Sequence, residues 1–249
     1  MAYSVAFAGK GGTGKTTMAG FLIKYLVEKE RTPILAVDAD ANANLNEVLG
    51  LEVQETLGDA REEMKKGVSS GMTKDLFIEM KLQEAVVETP NFDLIVMGRP
   101  EGAGCYCAAN SLLTLYLDKL LNNYRFVVID NEAGMEHISR LTTNNIDLLL
   151  VVSDATRRGI QAAARIVDLT HELGLNIKRK YVIINQAKDG QRDAIEGSVR
   201  NYHLDLIGLV PDDQGVSEFD LNGRPTIELD MGNTALKAAF EIFERVFDN

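Results

Sequence analysis

Gly9-Lys10-Gly11-Gly12-Thr13-Gly14-Lys15-Thr16-Thr17 lies between the apolar run Val5-Ala6-Phe7-Ala8 and a stretch of helical periodicity. Gly9, Gly14, Lys15 and Thr16 fill the spacing G-x-x-x-x-G-K-[ST] of a phosphate-binding loop. Glycines let successive backbone N–H groups curl around a polyphosphate, Lys15 supplies a point charge, and the Thr16 hydroxyl suits Mg2+. Downstream, Ala19, Leu22, Ile23, Leu26 and Val27 recur at i, i+3, i+4, i+7 and i+8. A helix therefore opens at the loop and aims its N-terminal dipole at the anion. Strand, Gly-rich loop and helix in that order predict nucleotide binding by the residues from Gly9 to Thr17.

Six further apolar runs follow Val5 to Ala8: Ile34 to Val37, Leu94 to Met97, Phe126 to Ile129, Leu148 to Val152, Tyr181 to Ile184 and Leu206 to Leu209. Their hydrophobicity is continuous rather than alternating, as in strands covered on both faces, and helical patterns separate them. The prediction is an α/β chain, residues 1–249 forming one doubly wound domain with a mainly parallel seven-stranded sheet and helices on both faces. No Pro/Ser-rich linker, composition break or internal repeat divides its 249 residues. Ligand groups should then gather at the C-terminal ends of the strands, where the Gly9 loop already lies.

A hydrophobic share of 45% with 25% charged residues supports an ordinary packed core. The net charge of −11 argues against a nucleic-acid partner, which calls for a basic stripe, and no apolar stretch is long enough to span a bilayer. The first residues carry neither a basic n-region nor an apolar h-region, so a cytoplasmic location is expected. In a reducing compartment Cys105 and Cys107 are poor candidates for a disulfide framework.

The second strand ends in Asp38-Ala39-Asp40-Ala41-Asn42-Ala43-Asn44, too dense in Asp and Asn to continue as strand. Capping a helix near Leu45 would occupy one of these residues. Beside a Mg-phosphate site, Asp38 can hold metal-bound water while Asp40 orients or deprotonates the attacking water, although spacing does not decide which of the two contacts it. The fourth run closes in Asp130, the Walker B arrangement, which places a carboxylate beside Thr16 to hold Mg2+ through water. Gly134 can offer its N–H to the γ-phosphate and move when that phosphate leaves. Glu55 to Pro90 reads as charged and helical, with Met72, Leu76 and Met80 as a core-facing stripe. Lys178-Arg179-Lys180 reads as a solvated turn. The last segment is an amphipathic helix with Leu236, Ala239, Phe240, Phe243, Val246 and Phe247 on one face, and its acidic polar face argues against a membrane-surface role.

Lys10, a second lysine inside the loop, resembles the first lysine of the deviant Walker A loop of the nitrogenase iron protein, MinD and arsenite-pump ATPase class. In that class it crosses a dimer interface to the nucleotide of the other subunit, so the resemblance implies a nucleotide-gated homodimer. Asn185, ending the sixth run, could be a simple turn residue or could pair both edges of adenine with its amide. The class carries its base-reading Asn at this strand end and a second base-contacting segment like Val210-Pro211-Asp212-Asp213, so ATP is implied.

Cys105 and Cys107 sit in the Gly-rich stretch Gly102 to Asn110, where two thiols at i, i+2 can share one metal ion. A closed thiolate site wants four ligands, and a homodimer with the pair near its two-fold axis would complete it. The loop KGGTGKT, the run G-C-Y-C-x-x-N-S at Gly104 to Ser111 and D-N-E-A-G-M-E-H at Asp130 to His137 together resemble the CooC/AcsF family. Its members are accessory ATPases for nickel insertion into carbon monoxide dehydrogenase or acetyl-CoA synthase. The resemblance implies Ni2+ as cargo, a client nickel enzyme and a metallochaperone cycle, whereas four thiolates by their own chemistry favour Zn2+. Gly98 to Cys105 also resembles a cluster-ligand loop of the nitrogenase iron protein. Asp130 to Leu150 holds no second cysteine to copy that geometry, and an iron-sulfur electron-transfer ATPase stands as the alternative. A partitioning ATPase without metal is the third reading and leaves both cysteines unexplained.

Overall fold

The computed structural model describes residues 2–66, 74–98, 123–131 and 145–248. All strands among the described residues join one sheet: β1 (Tyr3–Ala8), β2 (Ile34–Ala39), β3 (Val86–Glu88), β4 (Phe92–Val96), β5 (Phe126–Asn131), β6 (Asn145–Asp154), β7 (Asn176–Ala187) and β8 (Leu206–Pro211). The sheet is eight-stranded, in the order β3-β4-β2-β5-β1-β6-β7-β8, and every pairing except β3 with β4 is parallel. Each of the seven apolar runs forms a strand.

The eighth strand corrects the expected count. Val86-Val87 pairs back on Leu94 and Ile95 as a short antiparallel edge, inside the stretch expected to be helical. The β-branched pair suits a strand, and three residues suffice to cover the open edge of β4. Helices α3 (Leu57–Lys66) and α4 (Lys74–Glu84) occupy the rest of the described part of that stretch. On α4 the expected stripe fails at Leu76, which is 55% exposed, while Phe77 and Leu82 face the core; Met72 lies outside the described residues. Lys178 to Lys180 likewise belong to β7 rather than to a turn. Each cation has a partner there: Lys178 pairs with Asp147, Arg179 donates to the Tyr3 hydroxyl and the Val246 carbonyl, and Lys180 meets His171.

Alternate residues of β1 feed two cores. Val5 and Phe7 pack in one with α1 (Lys15–Glu28) and the C-terminal helix, while Ala6 and Ala8 pack in the other with α5 (Arg157–Glu172) and α6 (Arg192–Asn201). Between β2 and α3 lies the five-residue α2 (Leu45–Leu49). The chain ends in α7 (Gln214–Leu221), a 3-10 turn at Thr226–Glu228, and α8 (Thr234–Phe247). As its sequence foretold, α8 buries Leu236, Ala239, Phe240, Phe243 and Val246. Helix α1 is buried nearly all round because α8 covers the side turned away from the sheet. From β1 the chain runs to β2 on one side, while β6 lies on the other. The loop after β1 thus opens at a topological switch point, where doubly wound sheets bind ligands.

Candidate nucleotide site

Backbone geometry explains the glycines of the loop. A side chain at Gly9 would bring its Cβ to 2.2 Å from the Val152 carbonyl oxygen, so the loop can leave β1 beside β6 only without one. Gly14 has φ +85° and a Cβ there would meet the Asn185 amide nitrogen at 2.3 Å. The Thr13 hydroxyl donates to the Lys10 carbonyl at 2.9 Å, and the Lys15 ammonium donates to the same carbonyl at 3.4 Å. Thr13 and Lys15 are buried, whereas the Lys10 side chain is exposed. Gly11 and Gly12 are exposed too, and Thr16 and Thr17 are half-buried at the start of α1. Gly14 precedes α1 without a side-chain cap, and the first turn carries no acid. The free N–H groups and positive dipole end are thus left for an anion.

Two carboxylates meet this loop from neighbouring strands, Asp38 of β2 lying in register with Asp130 of β5. Asp38 is fully buried, and its oxygens accept from the backbone N–H groups of Asp40 at 3.0 Å and Leu45 at 2.9 Å. The cap of α2 is therefore Asp38: Asn44 holds the N-cap position, but its side chain makes no cap bond. Asp40 is half-buried and accepts from the Asn42 backbone and amide. Burial pushes Asp38 up to about 6, against the pull of the Leu45 and Asp40 N–H groups. It pushes Asp130 up to about 7, opposed by the Thr16 hydroxyl and Lys15 and reinforced by Asp38.

One oxygen of Asp130 is buried without a hydrogen-bond partner. A desolvated carboxylate with an open oxygen, a second carboxylate beside it and a threonine hydroxyl in contact form a hard-oxygen donor set that fits Mg2+. Among the described residues no group of three or more His, Cys, Asp or Glu is arranged to hold a metal. Two carboxylates are ordinary for Mg2+, which takes its remaining ligands from water and nucleotide phosphate.

Around the other end of the loop, Asn185 donates from its amide to the Thr13 carbonyl at 3.0 Å. Gln186 follows with φ 56°, at an irregularity in the pairing of β7 with β8. Both line a cleft with Gly14, Thr17, Pro211 and Asp212, while Val210 is buried in the core behind it. The Asp212 N–H donates to the Ala187 carbonyl at 3.0 Å, extending the pairing of the two strands. The structure thus brings Gly9 to Thr17, Asp38, Asp40, Asp130, Asn185, Pro211 and Asp212 to one end of the sheet. Gly134, Cys105 and Cys107 lie outside the described residues. Sequence reasoning missed Gln186, and it placed Asp213 only at the end of the base-contacting segment, without its capping role. Its position just before α7, an N-cap position, could have signalled that role.

A glycine cradle at a bare helix N-terminus, a buried lysine and two desolvated acids define an ATP-binding P-loop protein. The chain belongs to the CobQ/CobB/MinD/ParA nucleotide binding domain family, whose model matches residues 4–227. It is 45% identical to the uncharacterized ATP-binding protein MJ0685 of Methanocaldococcus jannaschii, over 98% of each chain. It is 30% identical to the carbon monoxide dehydrogenase accessory protein CooC of Rhodospirillum rubrum, over 90% of this chain and 89% of that one. Among solved structures it is similar to the septum site-determining protein MinD of Pyrococcus horikoshii, complexed with Mg-ADP. That match has a TM-score of 0.73 at 23% identity over 99% of this chain and 96% of the other, a likeness of fold. No helix among the described residues is long and apolar enough to cross a membrane.

Proposed function

We propose that the protein is a cytoplasmic ATP hydrolase that closes as a homodimer on ATP. In this reading it carries a metal ion, nickel or zinc, to a client nickel enzyme, carbon monoxide dehydrogenase or acetyl-CoA synthase. The observation that carries this reading is the pair Cys105 and Cys107 in a chain that has the Lys10-bearing loop and is 30% identical to CooC.

In this reading the loop N–H groups and Lys15 hold the phosphates. Thr16 and Asp130, with Asp38 alongside, would hold Mg2+, which would supply positive charge against the nucleotide phosphates. Asp38 anchors the loop from Asp40 to Asn44, since its oxygens fix the N–H groups of Asp40 and Leu45. Asp40, nearer solvent, orients the attacking water. The water oxygen bonds to the γ-phosphorus as the bond to the bridging oxygen breaks, giving ADP and phosphate, and the water proton passes to Asp40 or to a phosphate oxygen. Gly134 senses the γ-phosphate through its N–H. Asn185 and the Val210-Pro211-Asp212 segment receive adenine. Lys10, exposed on the loop, reaches the nucleotide of the partner subunit, and closure brings Cys105 and Cys107 to the corresponding pair of that subunit.

Metal titration of an Asp40→Asn protein with and without Mg-ATP tests the proposal. One metal per dimer is expected, with affinity raised by ATP by about 5- to 150-fold. Cys105→Ser and Cys107→Ser should each abolish tight metal binding and spare ADP binding. One metal per monomer, iron with labile sulfide, or binding that survives both serine changes would overturn it. Lys10→Ala should bind ATP and fail to dimerise with it in sedimentation.

A further inference from the structure

Asp213 is the N-cap of α7, and its carboxylate serves two helices at once. One oxygen accepts from the backbone N–H groups of Gly215 at 2.8 Å and Val216 at 3.3 Å, and from the Asn233 amide at 2.8 Å. The other accepts from the Thr234 hydroxyl and from the Ala235 N–H at 3.4 Å, in the first turn of α8. Asn233 in turn caps α8, its carbonyl oxygen accepting from the Leu236 N–H at 2.9 Å, so its amide must face Asp213. The positive ends of two helix dipoles thus converge on one negative charge. Although burial works against it, this ring of donors, led by Thr234 and Asn233, holds Asp213 down to about 2. The packing is tight as well: a Cβ on Gly215 would stand 3.0 Å from the Asp213 carboxylate.

The residues so joined line the cleft. Val216 and Ser217 of α7, Ala235 of α8, and Asp213 itself line it together with Gly14 and Thr17 of the phosphate loop. We propose that Asp213 is a positioning residue for the nucleoside half of the ligand. By clamping the N-termini of α7 and α8 together it fixes the width of the cleft that takes the base. It sets the affinity for ATP and ADP without serving the phosphates. The inference rests on the nucleotide reading of the site, and a probe without a base separates the two.

Binding of ADP and of inorganic tripolyphosphate, measured by calorimetry on the full chain, provides the test. Asp213→Ala should weaken ADP by about tenfold or more, the loss expected when charge-assisted hydrogen bonds go, and leave tripolyphosphate affinity as in the wild type. Asp213→Asn should recover part of the loss, because an amide oxygen can still cap α7. Thr234→Val, which removes only the hydroxyl donor on the α8 side, should give a smaller loss in the same direction and keeps the question open to measurement if Asp213→Ala does not fold. Equal ADP affinity in wild type and variants, or equal losses for ADP and tripolyphosphate, would overturn the proposal. Failure of wild-type protein to bind ADP would overturn the nucleotide reading instead.

Discussion

The two ends of the sheet are built on opposite terms. At the C-terminal ends of the strands Asp38 and Asp130 are pushed well above the usual carboxylate range, one Asp130 oxygen has no partner, and α1 begins without a cap. At the other end polar groups are matched. The Tyr25 hydroxyl donates to Asp248, Arg179 donates to Tyr3 and to the Val246 carbonyl, and Lys29 pairs with Glu244. Around them Tyr3, Tyr25, Phe126, Phe240, Phe243 and Phe247 pack ring on ring, with centroids 5.3 to 6.1 Å apart. One end gives up stability to hold charge that a ligand completes, and the other holds α1 and α8 on the sheet. Substitutions at the two ends should therefore fail in different ways.

The largest effect is expected at the ligand end. Asp40→Asn keeps size and most hydrogen bonding, so ATP should still bind while hydrolysis falls by about 10²- to 10⁴-fold, the range for losing acid-base assistance. Thermal stability should hardly change, because Asp40 is half-buried and, among the described residues, its carboxylate accepts from its own turn. A phosphate-release assay beside a melting curve measures both, and unchanged turnover would remove Asp40 from the chemistry. The mirror experiment is Phe243→Ala. Phe243 is fully buried, with its ring centroid 5.6 Å from that of Tyr25. Its truncation should cost about 3–5 kcal/mol of stability. ADP affinity of the protein that remains folded should be unchanged, and a large loss of affinity would mean that the two ends are coupled.

The ligand end was legible in the sequence where chemistry is local. The loop spacing, the runs ending in Asp38 and Asp130 and the Asn after the sixth run each sit within a few residues of a strand end, and the structure brings them together. Whatever depends on distant partners was not legible. Asp38 capping α2 bridges seven positions, and Asp213 meets α8 across about twenty. Lys178 to Lys180 look like a turn until Asp147, Tyr3 and His171 arrive from other elements. The edge strand at Val86 escaped because three residues carry too little periodicity to separate a strand from a helix end.

A subtler contrast comes from pH. With Asp130 near 7 and Asp38 near 6 in the fold against 3.8 as the ordinary value, the native chain holds more protons than the unfolded one between about pH 4 and 7. Nucleotide-free stability should therefore be greatest at the acid side of that window and fall as pH rises through it, by at most about 1.4 kcal/mol per pH unit for each group. Asp130→Asn should flatten the fall and raise the melting temperature at pH 8, while weakening Mg-ADP binding. Calorimetric melts at pH 5 and pH 8 decide the matter. A wild type whose nucleotide-free stability rises with pH across the window would show that these carboxylates are not strained.

The smallest effect belongs to the periphery of the opposite end. Lys29 and Glu244 lie 2.7 Å apart, but their side chains are 40% and 49% exposed, so water and salt screen the pair. Holding two long side chains in one geometry also costs entropy that offsets most of the attraction. Lys29→Ala should lower stability by no more than about 1 kcal/mol, a difference that shrinks further in high salt. Denaturant unfolding at low and high ionic strength measures it. Because the ring cluster beneath holds α1 against α8 by packing, removing the ion pair should leave the unfolding slope unchanged. A loss of several kcal/mol would mean that charge, rather than the aromatic packing, secures this end of the molecule.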